Sequence, residues 1–129
     1  RCMTDDRMDA LVSDAMDVVA QHTAGLSVKT VWHDIFLSVT NDTDATDIAR
    51  RVATERGQEV YEMPTPMRWS EDFGRIGGDG AKATMLYVGA GEDHPQLHNP
   101  DYDFPDDLIP IVADLFCGII ADILGPMQV

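Results

Sequence analysis

Residues 26–39, "LSVKTVWHDIFLSV", decide the fold class, because a helix and a strand repeat their apolar side chains at different intervals. In an extended chain Val28, Thr30 and Trp32 share one face and Val31, His33 and Ile35 the other, and β-branched and aromatic residues recur throughout. The pattern predicts a strand. Upstream, Met8, Leu11, Val12, Ala15, Met16 and Val19 return every three or four residues, with Thr4 as N-cap, Asp5 and Asp6 at the positive end and Gly25 as the stop. That segment reads as an amphipathic helix.

Downstream, "TNDTDATDIARRVATERG" at 40–57 resumes helical spacing, with Asp42 or Thr43 as cap, a stripe of Ala45, Ile48, Ala49, Val52 and Ala53, and Gly57 as terminator. "EVYEM" at 59–63 reads as a short strand, and residues 64–82 as a long loop with one helical turn from Glu71. "ATMLYVGAG" at 83–91 reads as a buried strand. After a Pro- and acid-rich loop, Asp106 or Asp107 caps a last helix carrying Leu108, Ile111, Val112, Leu115, Phe116, Ile119, Ile120 and Leu124. Asp114, Gly118 and Asp122 interrupt that apolar run, so it reads as a core helix and not as a membrane span.

Helix, strand, helix, strand, strand, helix implies an α/β layered architecture without internal repeats. The first helix and strand cannot cover both their apolar faces. Residues 1–40 are therefore expected to pack on polypeptide outside this sequence or on a second copy of it, unless the first helix packs on the rest of this chain, which the pattern leaves equally open.

A chain of 129 residues is about one domain long, and 44% hydrophobic residues are enough for a modest core. Twenty-three acidic against nine basic residues leave a net charge of −14, which argues against a nucleic-acid phosphate backbone as partner. The same acidity favours cations wherever carboxylates converge. Cys2 and Cys117 form neither a metal-type pair nor a disulfide framework, and Cys117 reads as a small buried hydrophobe. The sequence opens on Arg1 with neither an initiator Met nor a leader-like segment, so its true beginning is expected upstream; the expected location is cytoplasmic.

The chemistry-bearing residues gather in two loops. His98 lies in "GEDHPQLHNPDYDFPDD", residues 91–107, where Pro100 and Pro105 stiffen the chain. A lone histidine in such a loop is ordinarily solvated, but a loop leaving the C-terminal end of a buried strand is where α/β sheets place ligands. Glu71 and Asp72 read either as the acidic start of a helix capped by Ser70 or as carboxylates near a metal or substrate. "GGDG" at 77–80 is too short and wrongly placed for a phosphate loop. His33 and His94 read as structural or solvated, and His22 suits the negative end of the first helix. Ser70 and Cys117 lack the local base that nucleophilic catalysis needs.

Read in order, "RWSEDFGRI", a glycine-rich turn, "TMLYVGAGE" and "PQLHNPDYDFPDDLIP" running into an apolar helix resemble the C-terminal part of the zinc-dependent amidohydrolases that include hippurate hydrolase, indole-acetyl amino-acid hydrolases, aminoacylases and carboxypeptidases. The resemblance is strongest from about Pro64 to Leu124 and looser before that. It implies that residues 1–40 are part of a small lid or dimerisation domain and residues 41–129 the C-terminal part of the metal-binding catalytic domain. It further implies two zinc ions, or Mn, Co or Ni, with His98 as the late histidine ligand and Glu71, Asp72 and Asn99 as substrate-side or supporting residues. The other ligands and the general base would lie in an N-terminal portion of the same enzyme. Arg68 and Trp69 stand where many relatives have a small residue, which bears on acyl-group preference.

The reading that follows is a metal-dependent amidohydrolase acting on N-acyl amino acids or similar small amides, inactive as this segment alone and homodimeric when whole. A non-catalytic dimerisation or binding module on the same scaffold is the rival. A calcium-binding module is weaker, since the acidic loop lacks the Asp/Asn-Gly and terminal Glu pattern of a calcium loop.

Overall fold

Each segment with three-and-four spacing forms a helix. The computed structural model describes residues 4–69, 71–77 and 80–125, and within them α1 spans Asp5–His22, α2 Thr43–Glu55 and α3 Leu108–Leu124, with a 3-10 turn at Asp72–Arg75. The Asp42 carboxylate caps α2 by accepting the Ala45 N–H at 2.9 Å, and Gly57 at φ 74° follows its end, donating to the Thr54 carbonyl at 3.0 Å. Thr4 and Asp107 occupy the cap positions of α1 and α3 without a side-chain cap bond. Pro110 is tolerated in α3 because it falls in the first turn, where its missing N–H costs no helical bond.

No strand forms among the described residues, so the expected α/β class is corrected: the regular structure is all helical. The cause is visible in the backbone hydrogen bonds. A strand exists only where its N–H and C=O groups meet a neighbouring strand, and here side chains take those groups. In the segment expected to be the first strand, Ser38 donates its N–H to Asp5 Oδ1 at 2.9 Å, and the Ile35 carbonyl accepts from Arg75 Nη2 at 2.5 Å. In the segment expected to be a buried strand, the Asn41 amide takes both backbone groups of Met85, accepting its N–H at 2.9 Å and donating to its carbonyl at 3.4 Å. Burial fails as well: Leu86, Tyr87 and Val88 are exposed, as are Val28, Val31, Trp32 and Ile35.

Contacts divide the chain into two compact units, residues up to Thr40 with Met63–Ala81, and Asn41–Glu62 with Lys82 onward. In the first unit, Asp5 of α1 holds Ser38 by both its N–H and its hydroxyl, each at 2.9 Å, and Met8, Val12 and Met16 are half-buried. The 3-10 turn lies against the same stretch. A Cβ on Gly74 would stand 2.4 Å from the Leu37 carbonyl oxygen, so only glycine permits this approach.

In the second unit, α2 packs on α3. Val52, Ala53 and Leu115 form the core, joined by Ile48 and Ile119, and Val52 is 2% exposed. Burying an aliphatic side chain of this size contributes about 1.5–3 kcal/mol. Two ion pairs clamp the helices from outside: Arg51 Nη2 to Asp122 Oδ2 at 2.7 Å, and Arg56 Nε to Asp114 Oδ2 at 2.9 Å. The Arg56 guanidinium lies over Gly118, where a Cβ would meet its Cζ at 2.2 Å. The expected core helix is buried on this one face only, since Ile109, Phe116, Ile120, Ile123 and Leu124 are exposed, and Cys117 is exposed too, contrary to its reading as a buried hydrophobe. Cys2 lies outside the described residues.

The two close-approach glycines respond differently to substitution. Gly118→Ala displaces only the end of a flexible arginine and gains helix propensity of about 1 kcal/mol, so its urea midpoint stays near that of the parent. Gly74→Ala meets backbone and costs about 1–3 kcal/mol, read as a lower midpoint at unchanged slope.

Lys82 pairs with Asp44 at the start of α2, and the hydrogen bond from its ammonium, then its charge, hold the Asp44 carboxyl below the ordinary carboxylate range. A carboxyl whose folded pKa is depressed contributes stability above its unfolded pKa and loses it as pH falls through the folded value. Both groups are exposed, so salt screens the pair. Asp44→Asn is therefore expected to be slightly less stable at neutral pH, with the difference closing below about pH 4 or in high salt.

Candidate functional site

The loop carrying His98 is built from tandem turns. His94 N–H donates to the Gly91 carbonyl at 3.4 Å, Asn99 N–H to the Gln96 carbonyl at 3.0 Å, and Tyr102 N–H to the Asn99 carbonyl at 3.0 Å. Pro100 takes the second position of the last turn, where its fixed φ fits. His98 takes the third position of the middle turn with φ 75°, in the left-handed region that a residue other than glycine enters at a cost. Such strain is seen where a side chain is held in one place for a purpose.

His98 and Asn99 are both exposed at this turn. The argument that placed His98 at the end of a buried strand is lost with the strand; what remains is an exposed imidazole on a residue with φ 75°. His94 is half-buried, donates from Nδ1 to the Pro95 carbonyl at 2.9 Å, and sets its ring edge-on to Tyr102 at 5.4 Å between centroids and 73° between planes. The sequence reads His94 as structural or solvated and does not show its partner, because the seven residues between it and Tyr102 hide the pairing. Pro95 beside His94 and tandem turn residues up to Pro100 were the available signal.

Glu71 and Asp72 belong to the other compact unit. Glu71 is half-buried at the cap position of the 3-10 turn without a side-chain cap bond, and Asp72 is exposed in its first turn. Ser70, expected to cap this helical turn, lies outside the described residues, as do Gly78 and Asp79 of the glycine-rich turn. His22 donates from Nδ1 to the Val18 carbonyl at 2.8 Å, in keeping with its place at the end of α1, and His33 is exposed.

Among the described residues no three His, Cys, Asp or Glu side chains converge as a metal-holding group. Neutral imidazole suits zinc and related divalent ions, and an exposed His98 supplies one donor where a zinc site takes four ligands, or three and water. His98 therefore fits a metal as one contributor to a site and not as a site by itself.

The strain at His98 has a measurable consequence. Glycine adopts φ 75° freely, so His98→Gly is expected to leave the chain as stable as before or up to about 1 kcal/mol more stable by urea denaturation, the relief being partly offset by glycine's greater freedom when unfolded.

No helix among the described residues is long and apolar enough to cross a membrane. No curated protein and no solved structure matches the chain. The family model for peptidase family M20/M25/M40, however, matches residues 6–122, reaching from the first turns of α1 to the last turn of α3 and including both the Glu-Asp-Phe turn and the His98 loop. The chain thus belongs to peptidase family M20/M25/M40, a family of metallopeptidase-type hydrolases.

Proposed function

We propose that this chain is the C-terminal portion of a metal-dependent amidohydrolase that cleaves the amide bond of N-acyl amino acids or similar small amides. Family membership supports hydrolysis, and the ordered "EDFG", "GAGE" and "LHNP" segments support the amide-cleaving branch with hippurate-type and indole-acetyl amino-acid substrates. The observation that carries the reading is His98, an exposed imidazole held at φ 75° in a loop of successive turns.

In this reading His98 gives a nitrogen lone pair to one of two divalent ions, zinc or else Mn, Co or Ni, and the remaining ligands and the general base come from an N-terminal portion of the same enzyme. When bound, such an ion supplies Lewis acidity to the scissile carbonyl and lowers the pKa of water toward about 7. Asn99, next to His98, offers an amide able to donate to a substrate oxygen, and Glu71 and Asp72 offer carboxylates for the substrate's amide or amino end. Arg68 and Trp69, both exposed, bias acyl-group preference.

A non-catalytic dimerisation module is the second reading, favoured by one observation: Val28, Val31, Trp32 and Ile35 are each at least 50% exposed within eight residues, an apolar surface suited to a second copy. The two readings are compatible if the whole enzyme is a homodimer, and they part over metal.

Calorimetric titration of zinc into this chain alone is expected to show no tight stoichiometric binding. In the hydrolase that carries the other ligands, His98→Ala is expected to lower zinc content and to reduce kcat/KM on an N-acyl amino acid by more than about a hundredfold, since even an outer partner of a ligand is worth 10–100-fold. Full zinc occupancy and activity in that variant would overturn His98 as a ligand, whereas a whole protein that neither binds zinc nor cleaves the amide would leave the binding-module reading in possession.

A further inference from the structure

We propose that His94 is the positioning residue of the His98 loop, acting with Tyr102 to close the base of the turn array that presents the His98 imidazole; this rests on the reading of His98 as a metal ligand. The His94 and Tyr102 rings meet edge-on at 5.4 Å, and the stretch between them holds the two turns, 96–99 and 99–102, that set the backbone at His98. The Nδ1–H of His94 is committed to the Pro95 carbonyl at 2.9 Å, which fixes the tautomer and the ring plane. Of the four histidines, His94 is the one whose ring is both hydrogen-bonded and packed on an aromatic side chain among the described residues.

The arrangement answers a physical difficulty. Without its closing contact, a loop of successive turns has other conformations open to it, and the left-handed φ at His98 is the costliest feature to keep. A ring contact between positions 94 and 102 restricts both ends of the segment at once, so the strained residue stays where a ligand must stand. His94 touches neither substrate nor metal in this role. It acts through the loop.

The test pairs two readouts. Amide hydrogen exchange in this chain reads the loop: His94→Ala and Tyr102→Ala are expected to speed exchange at the Asn99 and Tyr102 amides, which donate within the two turns, while His33→Ala leaves both unchanged. Zinc affinity of the metal-loaded hydrolase reads the consequence, with a loss of about tenfold expected in His94→Ala. His94→Phe keeps the ring against Tyr102 and is expected to retain most of the affinity, whereas His94→Asn keeps a donor near the position of Nδ1 but loses the ring contact and is expected to lose affinity as His94→Ala does; the reverse order would overturn the ring contact as the closing element. Unchanged exchange and unchanged zinc affinity in His94→Ala, with zinc still lost in His98→Ala, would overturn the positioning role and leave the ligand assignment standing. Unchanged zinc affinity in His98→Ala would overturn both, because there would be no ligand to position.

Discussion

The contact of Val52 on α2 with Leu115 on α3 is the constraint on which the second unit depends. It is the center of a small core, and two arginines reinforce it from the rim, Arg51 reaching Asp122 and Arg56 reaching Asp114 across the depression left by Gly118. With so few buried side chains, losing any one of them removes a large share of the unit's apolar burial. The same contact governs the His98 loop. The loop's far end runs into α3, which is pinned to α2, while the segment before it is tied to the start of α2 through Asp42 N–H to the Ala83 carbonyl, the Thr46 and Thr84 hydroxyls, and Lys82 to Asp44. Both ends of the loop are thus referred to one helix.

The segments that do not form sheet are equally instructive. Asn41 offers an amide with one donor and one acceptor side, the same pair of functions that a neighbouring strand presents, and it takes up both backbone groups of Met85. Asp5 and Arg75 do the same work at Ser38 and Ile35. These polar groups are satisfied residue by residue, which stabilises an extended path without propagating a ladder, and the apolar side chains along the path stay exposed.

In the proposed reading of His98 as a metal ligand, an exposed imidazole asks for rigidity more than burial. A chain with net charge −14 attracts divalent cations broadly, yet diffuse negative charge selects no position. In the proposed reading, selection comes from geometry: a nitrogen donor on a residue whose backbone is held at φ 75°. The separation of the Glu71–Asp72 turn and the His98 loop into different compact units means that each is shaped by its own local contacts, Gly74 against Leu37 in one and His94 against Tyr102 in the other.

The sequence by itself determined the three helices, because a period of three and four residues with Asp42 before α2 and Gly57 after it leaves the backbone little alternative. It also determined the order of motifs that marks the family, since that information is carried by residue identity and spacing. Alternation of apolar residues could not determine a sheet, as a strand is a relation between two segments and side-chain pattern describes only one of them. Only the tertiary structure decided that Asn41 meets Met85, that Arg56 covers Gly118, that α3 is buried on one face, and that His98 takes a positive φ beside a closed His94–Tyr102 pair. The first three depend on contacts between residues far apart in the chain, for which local composition carries no signal, whereas the His98 turn and the His94–Tyr102 pair are local and had only Pro95, Pro100 and the turn residues between them as a sign.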